Sequence, residues 1–257
     1  MAHIIVCIKA VMLEAPTGRR IRTSENCDLN PFDRPAVDMA LRLRESLGGT
    51  VTALSMGPDS CEFAVCDAIA MGADRGILLS DRALAGSDTL ATTTALSAAI
   101  RKLAPFDLVL FGMRSSDSDS GQVGPQTAVL LDIPMVTGAI FIEKTDSGLT
   151  VLRRSDGFLD TFAVSFPAAM TIHSSAGQPS DAGLPGISNA YGGHFVEKWS
   201  LKDLGLSARQ VGEIGSPTRL ISLTRVKRER KCEFIEGENE QQAETLMQRL
   251  LDSGLIG

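Results

Sequence analysis

The sequence predicts an α/β fold: a doubly wound, mostly parallel sheet with an antiparallel extension and a long C-terminal arm. Three observations carry this prediction. Four apolar runs of four to six residues are each followed by a helix pattern, and a short run without polar alternation marks a strand buried on both faces. Strand–helix pairs in series close through right-handed crossovers that lay helices on both faces of one sheet. From Met135 the pattern changes to short β-rich segments separated by turn residues.

Ile4-Ile5-Val6-Cys7-Ile8 is the first strand. Residues 9–23 read as a loop with a short hairpin, Gly18 at its turn. Asn30 is a candidate cap for the first helix, Pro31 suits its first position, and Asp33 favours the positive end of its dipole. Ala36, Val37, Ala40, Leu41, Leu43 and Leu47 give its apolar face, and Gly48-Gly49 ends it. The second strand covers 51–56 and closes on Gly57-Pro58; the second helix covers 60–71 and ends at Gly72. The third strand is 76–79, and Ser87-Asp88-Thr89 opens the third helix. The fourth pair is the strand 106–111 and a helix over 121–131.

Strands are predicted at 136–143, 149–154, 161–166 and 168–172, with turns at Asp146-Ser147-Gly148 and Asp156-Gly157. They extend the same sheet as antiparallel strands. After His173 regularity is lost. Residues 174–193 are rich in Ser, Gly, Pro and Ala, 199–206 hold one helical turn, and 212–226 read as extended. A terminal amphipathic helix covers 238–253, with Ala243, Leu246, Met247, Leu250 and Leu251 on one face. The chain thus divides into an α/β nucleotide-binding domain over 1–173 and an arm over 174–257. That arm either wraps its own domain or packs on a partner subunit.

Composition excludes several classes. The net charge is −6 and aromatic residues are 5%, which speaks against a nucleic-acid partner and against base-stacking surfaces. No stretch approaches the ~18 apolar residues of a membrane span. Five cysteines form no CxxC and no signal peptide is visible, pointing to a reducing cytoplasm or an equivalent compartment. Cys61 and Cys66 sit on one helix but off one face, and no metal cluster is expected. The histidines His3, His173 and His194 stand beside no nucleophile elbow, so no hydrolytic triad and no catalytic side chain is expected. The basic run 225–231 reads as a solvated strand or loop; Arg153, Arg154 and Trp199 carry no derivable role.

The candidate site follows the fourth strand. Gly112 to Pro134 runs from strand to polar loop to helix, and a helix start offers unpartnered N–H groups and positive potential to a phosphate. Asp117, Ser118, Asp119 and Ser120 are candidate caps of that helix, and Gly121 and Gly124 leave room for a ligand. This is neither a Walker loop nor GxGxxG, and an ordinary capped helix fits as well. Residues 7–10, 56–58 and 112–122 all follow strand ends, where such sheets hold ligands.

Several motifs agree on one family: NPFD at 30–33 with Ala36-Val37 and Ala40-Leu41-Arg42-Leu43, AMGADR at 70–75, GSDTLA at 86–91, D-x-D-x-GQVGP at 117–125, FPAAMT at 166–171, and WSLKDLGL at 199–206. Over essentially its whole length the chain resembles the small, or beta, subunit of electron-transfer flavoproteins. The resemblance implies an adenine nucleotide alpha hydrolase-like fold and a heterodimer with a larger alpha subunit that holds most of the redox-active FAD. It implies an adenine nucleotide in this subunit, at Cys7, Lys9, Asn30, Asp33, Met56, Gly112, Asp119, Ser120, Gly121, Gln122, Val123, Gly124 and Thr127. It also implies a segment at 180–191 that docks onto acyl-CoA-type dehydrogenases through Leu184, with Pro185 and Ile187. Single-flavin members of the family hold AMP here; electron-bifurcating members hold a second FAD that takes hydride from NADH. The loop at 117–125 resembles the bifurcating pattern, with Ser118 for Gly and Ser120 for Thr, so a second FAD is the expected ligand and AMP the alternative. The lysine run that commonly follows the docking leucine is absent: 188–193 read SNAYGG. A regulatory nucleotide-binding module of the universal-stress type shares the layout but lacks the arm and the AMGADR stretch.

Overall fold

The computed structural model describes residues 1–14, 21–193, 195–222 and 232–256. In chain order, β1 (Ala2–Ile8) leads through β2 (Ala10–Met12) and β3 (Cys27–Leu29) to α1 (Arg34–Leu47). Then come β4 (Gly49–Met56), α2 (Glu62–Met71), β5 (Arg75–Leu79), α3 (Thr89–Lys102), β6 (Leu108–Gly112) and α4 (Val123–Leu131). The second half holds β7 (Met135–Thr145), β8 (Gly148–Ser155), β9 (Phe158–Val164), β10 (Ala168–Ile172), α5 (Leu184–Gly192), β11 (Val196–Trp199), α6 (Leu201–Leu204), α7 (Gly212–Gly215) and α8 (Asn239–Asp252).

The nine-stranded sheet runs β11-β5-β4-β1-β6-β10-β7-β8-β9, and β2 pairs with β3 in a separate antiparallel ribbon. Alternation along β1 builds two cores. Ile4, Val6 and Ile8 pack under α1 and α2, while Ile5 and Cys7 pack under α3 and α4. The predicted strand–helix pairs are therefore present on both faces. The β7–β8 and β8–β9 hairpins are antiparallel as expected. Asp156 and Gly157 both take positive φ, 48° and 83°, which closes a two-residue turn and starts β9 at Phe158 rather than at 161.

Four expectations are corrected. The segment 168–172 is not an antiparallel extension strand: β10 lies parallel between β6 and β7, its five residues all buried. The region after His173 is more regular than predicted. α5 packs on α2, and β11 adds a parallel strand beside β5. The 212–226 stretch begins with the single turn α7, and its residues 223–226 lie outside the described residues, as do Gly18, His194 and 225–231. The boundary at 173/174 also moves. One compact unit covers Met1–Leu223 and a second covers Thr224–Gly257. In the second unit α8 forms where the amphipathic pattern places it, with no residue buried. Among the described residues no helix is long and apolar enough to cross a membrane.

Candidate functional site

From β1 the chain moves outward through β4 to β5, then returns to β6 on the other side of β1. The strand order reverses between β1 and β6, so a crevice opens beyond their carboxyl ends, at Lys9 and Gly112. A buried carboxylate joins those two ends. Asp33 accepts from the Lys9 backbone N–H at 2.8 Å, from Asn30 Nδ2 at 2.8 Å, and from the Gly112 N–H. Burial pushes its pKa up to about 7, against the pull of Asn30 and of the Lys9 N–H. Gly112 has no space for a side chain, because a Cβ would stand 2.5 Å from the Phe32 carbonyl oxygen and overlap Asp33 Oδ1.

Asn30 does not cap α1. Its side chain donates to the Arg114 carbonyl at 2.8 Å and accepts from the Ser116 N–H at 3.3 Å. The helix begins later, at Arg34, with Pro35 in its first turn. The NPFD turn is therefore a clamp between the end of β1 and the loop after β6. Arg114 lies over the Phe32 ring at 4.6 Å and pairs with Asp119 at 3.2 Å.

Asp117, Ser118 and Asp119 do not cap α4 either. Asp117 is gripped by Lys9 Nζ at 2.5 Å and Arg22 at 2.9 Å, and Ser115 and Ser118 complete the shell of Lys9 at 3.2 and 3.0 Å. Burial raises the Asp117 carboxyl, but Lys9 and Arg22 outweigh it and hold the pKa down to about 2. Burial lowers that of Lys9, with Asp117 opposing. Asp119 takes φ 50° and Gly121 φ 62°. Ser120 reaches only the Gln122 N–H, at 3.5 Å. The first turn of α4 has no side-chain cap, so the N–H groups of Val123 and Gly124 remain available to a phosphate, the group this donor set fits.

The other predicted positions differ in kind. Gly124 is buried, and a Cβ there would meet Met135, Thr171 and Phe111 at 3.1–3.3 Å. It serves close packing of α4 on the sheet rather than room for a ligand. Thr127 is buried and donates back to the Val123 carbonyl at 2.7 Å. The Cys7 side chain lies in the core, burial raising its thiol pKa, which leaves its backbone at the strand end. Met56 stands one strand further out, at the end of β4. Sequence reasoning missed Arg22 and the ion-pair role of Asp117. The available signal was Lys9, a charge placed directly after a buried strand.

The predicted docking segment forms α5. Gly186 lets this helix approach the Ala70 carbonyl of α2, Ala190 is buried against the core, and the Tyr191 hydroxyl donates to Asp67 at 2.6 Å. Leu184 is left 82% exposed, and Pro185 and Ile187 are exposed with it. Just upstream, the Ser180 N–H donates to Asp38 and Asp181 pairs with Arg34, both on α1. Among the described residues no cluster of His, Cys, Asp and Glu is placed to hold a metal.

Residues 19–203 match the family described as Electron transfer flavoprotein domain. The chain is 37% identical to the electron transfer flavoprotein subunit beta of Thermoanaerobacterium thermosaccharolyticum, over 96% of this chain and 97% of the relative. It is 35% identical to the caffeyl-CoA reductase-Etf complex subunit CarD of Acetobacterium woodii, over 85% and 86%. It is also 35% identical to the acryloyl-CoA reductase electron transfer subunit gamma of Anaerotignum propionicum, over 99% and 100%.

Proposed function

Because the chain belongs to the electron transfer flavoprotein family, on the side of its beta subunits, we propose that it works with an alpha subunit as a cytoplasmic electron carrier and binds a second FAD in the β1/β6 crevice. One observation carries the nucleotide reading: α4 starts at the topological switch point with its first-turn N–H groups uncapped, although four capping residues precede it. Three of those residues, Asp117, Ser118 and Asp119, are spent on Lys9, Arg22 and Arg114, and Ser120 reaches only the Gln122 N–H, which leaves Val123 and Gly124 at the helix start to an anion. The first turn of α4 would hold the nucleotide phosphates, Gly121 turns the chain ahead of it, and Asp33 with Asn30 fixes the two strand ends on which the loop rests. A bound flavin would supply the electron and hydride chemistry, with NADH as the expected hydride donor. This chain contributes binding, orientation and local charge, and no nucleophile or general acid.

The choice of a second FAD over AMP rests on the DSDSGQVGP loop and its resemblance to the bifurcating pattern. AMP in the same crevice is the second reading. The electron partner is an acyl-CoA-type dehydrogenase that meets Leu184, Pro185 and Ile187 on α5. Without the lysine run, a standing reductase complex suits this surface better than a transient ionic encounter. The test is the nucleotide content of the chain purified with its alpha subunit, by acid release and chromatography. Two FAD and no AMP per heterodimer is the expected result. One FAD with one AMP refutes the second flavin, and a chain with no nucleotide refutes the site.

A further inference from the structure

The two edges of the sheet are built differently. β11 is four residues long and carries Glu197 and Lys198, the short charged edge that natural sheets use against unwanted pairing. β9 is seven residues long and pairs with β8 without a bulge. It contains no proline or lysine, and its one charge, Asp160, is neutralised across the strand by Arg153 at 2.8 Å. Among the described residues no strand pairs with its outer edge.

Apolar side chains flank that edge on both faces. Phe158 and Phe162 lie on one face, 72% and 36% exposed; Leu159 lies on the other, 59% exposed, and two strands inward on that same face β7 adds Phe141, 53% exposed. By the size of such side chains this is on the order of 400 Å² of apolar surface. That is about half of the ~800 Å² each partner buries in a stable complex, before the strand backbone is counted. It also lies within the range at which an exposed patch marks a contact surface.

We propose that the β9 edge holds the alpha subunit, an apolar, uncharged segment of which pairs along it as a further strand. Main-chain bonds along β9 supply the pairing, and alternate side chains of the added strand cover Leu159 on one face and Phe158 and Phe162 on the other. A standing partner suits this edge better than an exchanging one, since an unblunted apolar strand left free between encounters invites aggregation. The helix α5 lies over α2 near the opposite edge, so both partners bind at once.

The inference rests on the subunit pairing proposed above, and amide hydrogen exchange on the intact complex with its alpha subunit tests it. Among amides 158–164, those pointing away from β8 are expected to exchange at least tenfold more slowly in the complex than after dilution that separates the subunits. In the complex, Leu159→Asp is expected to raise the subunit dissociation constant at least tenfold, whereas Leu184→Ala on α5 leaves it unchanged. Should Leu159→Asp fail to fold, the exchange measurement decides alone. An intact complex in which those amides exchange as fast as in the separated chain overturns this inference and leaves the pairing standing. So does protection that persists after separation, which would assign the edge to this chain's own residues. Failure to form any complex removes both.

Discussion

Replacing Gly112 with alanine places a methyl carbon 2.5 Å from the Phe32 carbonyl oxygen and inside the contact distance of Asp33 Oδ1. Neither neighbour is a flexible side-chain end: one is backbone, and the other is a buried carboxylate tied to Lys9 and Asn30. Relief requires Asp33 to rotate off its donors or β6 to retreat from the NPFD turn. Two hydrogen bonds to Asp33 are at stake, each contributing about 1.5–3 kcal/mol above pH 7, where that carboxyl is ionised. Overpacking adds about 1–3 kcal/mol, and partial relaxation keeps the sum near ~4 kcal/mol. For a chain of this size that lowers Tm by roughly 10 °C. Gly157→Ala is the comparison: its φ is 83° but a Cβ there meets nothing within 4 Å, so only backbone strain of about 1–2 kcal/mol applies. Differential scanning calorimetry of the two variants decides. Gly112→Ala is also expected to lose its nucleotide, because the crevice floor is displaced. Equal melting temperatures for the two variants would refute the claim that Asp33 staples the strand ends.

Gly121→Val, a β-branched residue at φ 62°, should empty the nucleotide site while the fold persists; full occupancy by released-nucleotide analysis would place the site elsewhere. Leu184→Ala should weaken electron transfer to the dehydrogenase about tenfold or more with flavin content unchanged, whereas flavin loss would make α5 structural. Burial raises the Asp33 pKa from 3.8 to about 7, so the folded state binds a proton between those values that the unfolded chain has released. Stability therefore falls as pH rises from about 4 to 7, by at most ~1.4 kcal/mol per pH unit, and levels off above. Asp33→Asn should flatten the denaturant midpoint over that window, and an unchanged slope would show that Asp33 is ionised throughout.

The parallel half was legible because each strand is a short, mostly apolar run, two of the four closed by Gly, and the Asp88 cap was legible because its partner, the Ala91 N–H, lies three residues away. The same capping rule failed at Asn30 and Asp117 because distant partners claim them: Asn30 also bonds the Arg114 carbonyl 84 residues away, and Asp117 is taken by an ion pair with Lys9 108 residues away. β10 was misplaced because sheet order is a property of the whole fold. Its five consecutive buried residues, AAMTI, did carry the signature of a central strand. β11, with Glu and Lys in a four-residue edge, resembles loop sequence. α5 contains Pro and two glycines, so its helix rests on the seat that Gly186 and Ala190 make against α2 and the core rather than on propensity.

An electron carrier must keep one partner while serving another, so the two contacts cannot share a surface. The sheet separates them. Eight strand spacings of about 4.8 Å put β9 and β11 on the order of 35–40 Å apart, with the crevice between β1 and β6 in the interior of the row. The separation is not isolation, because α1 touches both the crevice and the approach to α5. The helix leaves the NPFD clamp at Arg34, and that same Arg34, with Asp38 one turn later, holds residues 181 and 180 on the way to Leu184. The proposed docking segment is thus referenced to the helix that begins at the Asn30–Asp33 turn. That attachment explains why residues so rich in Ser, Gly and Pro hold a defined helix here: their position is set by α1 and α2, and the sequence need only avoid opposing it.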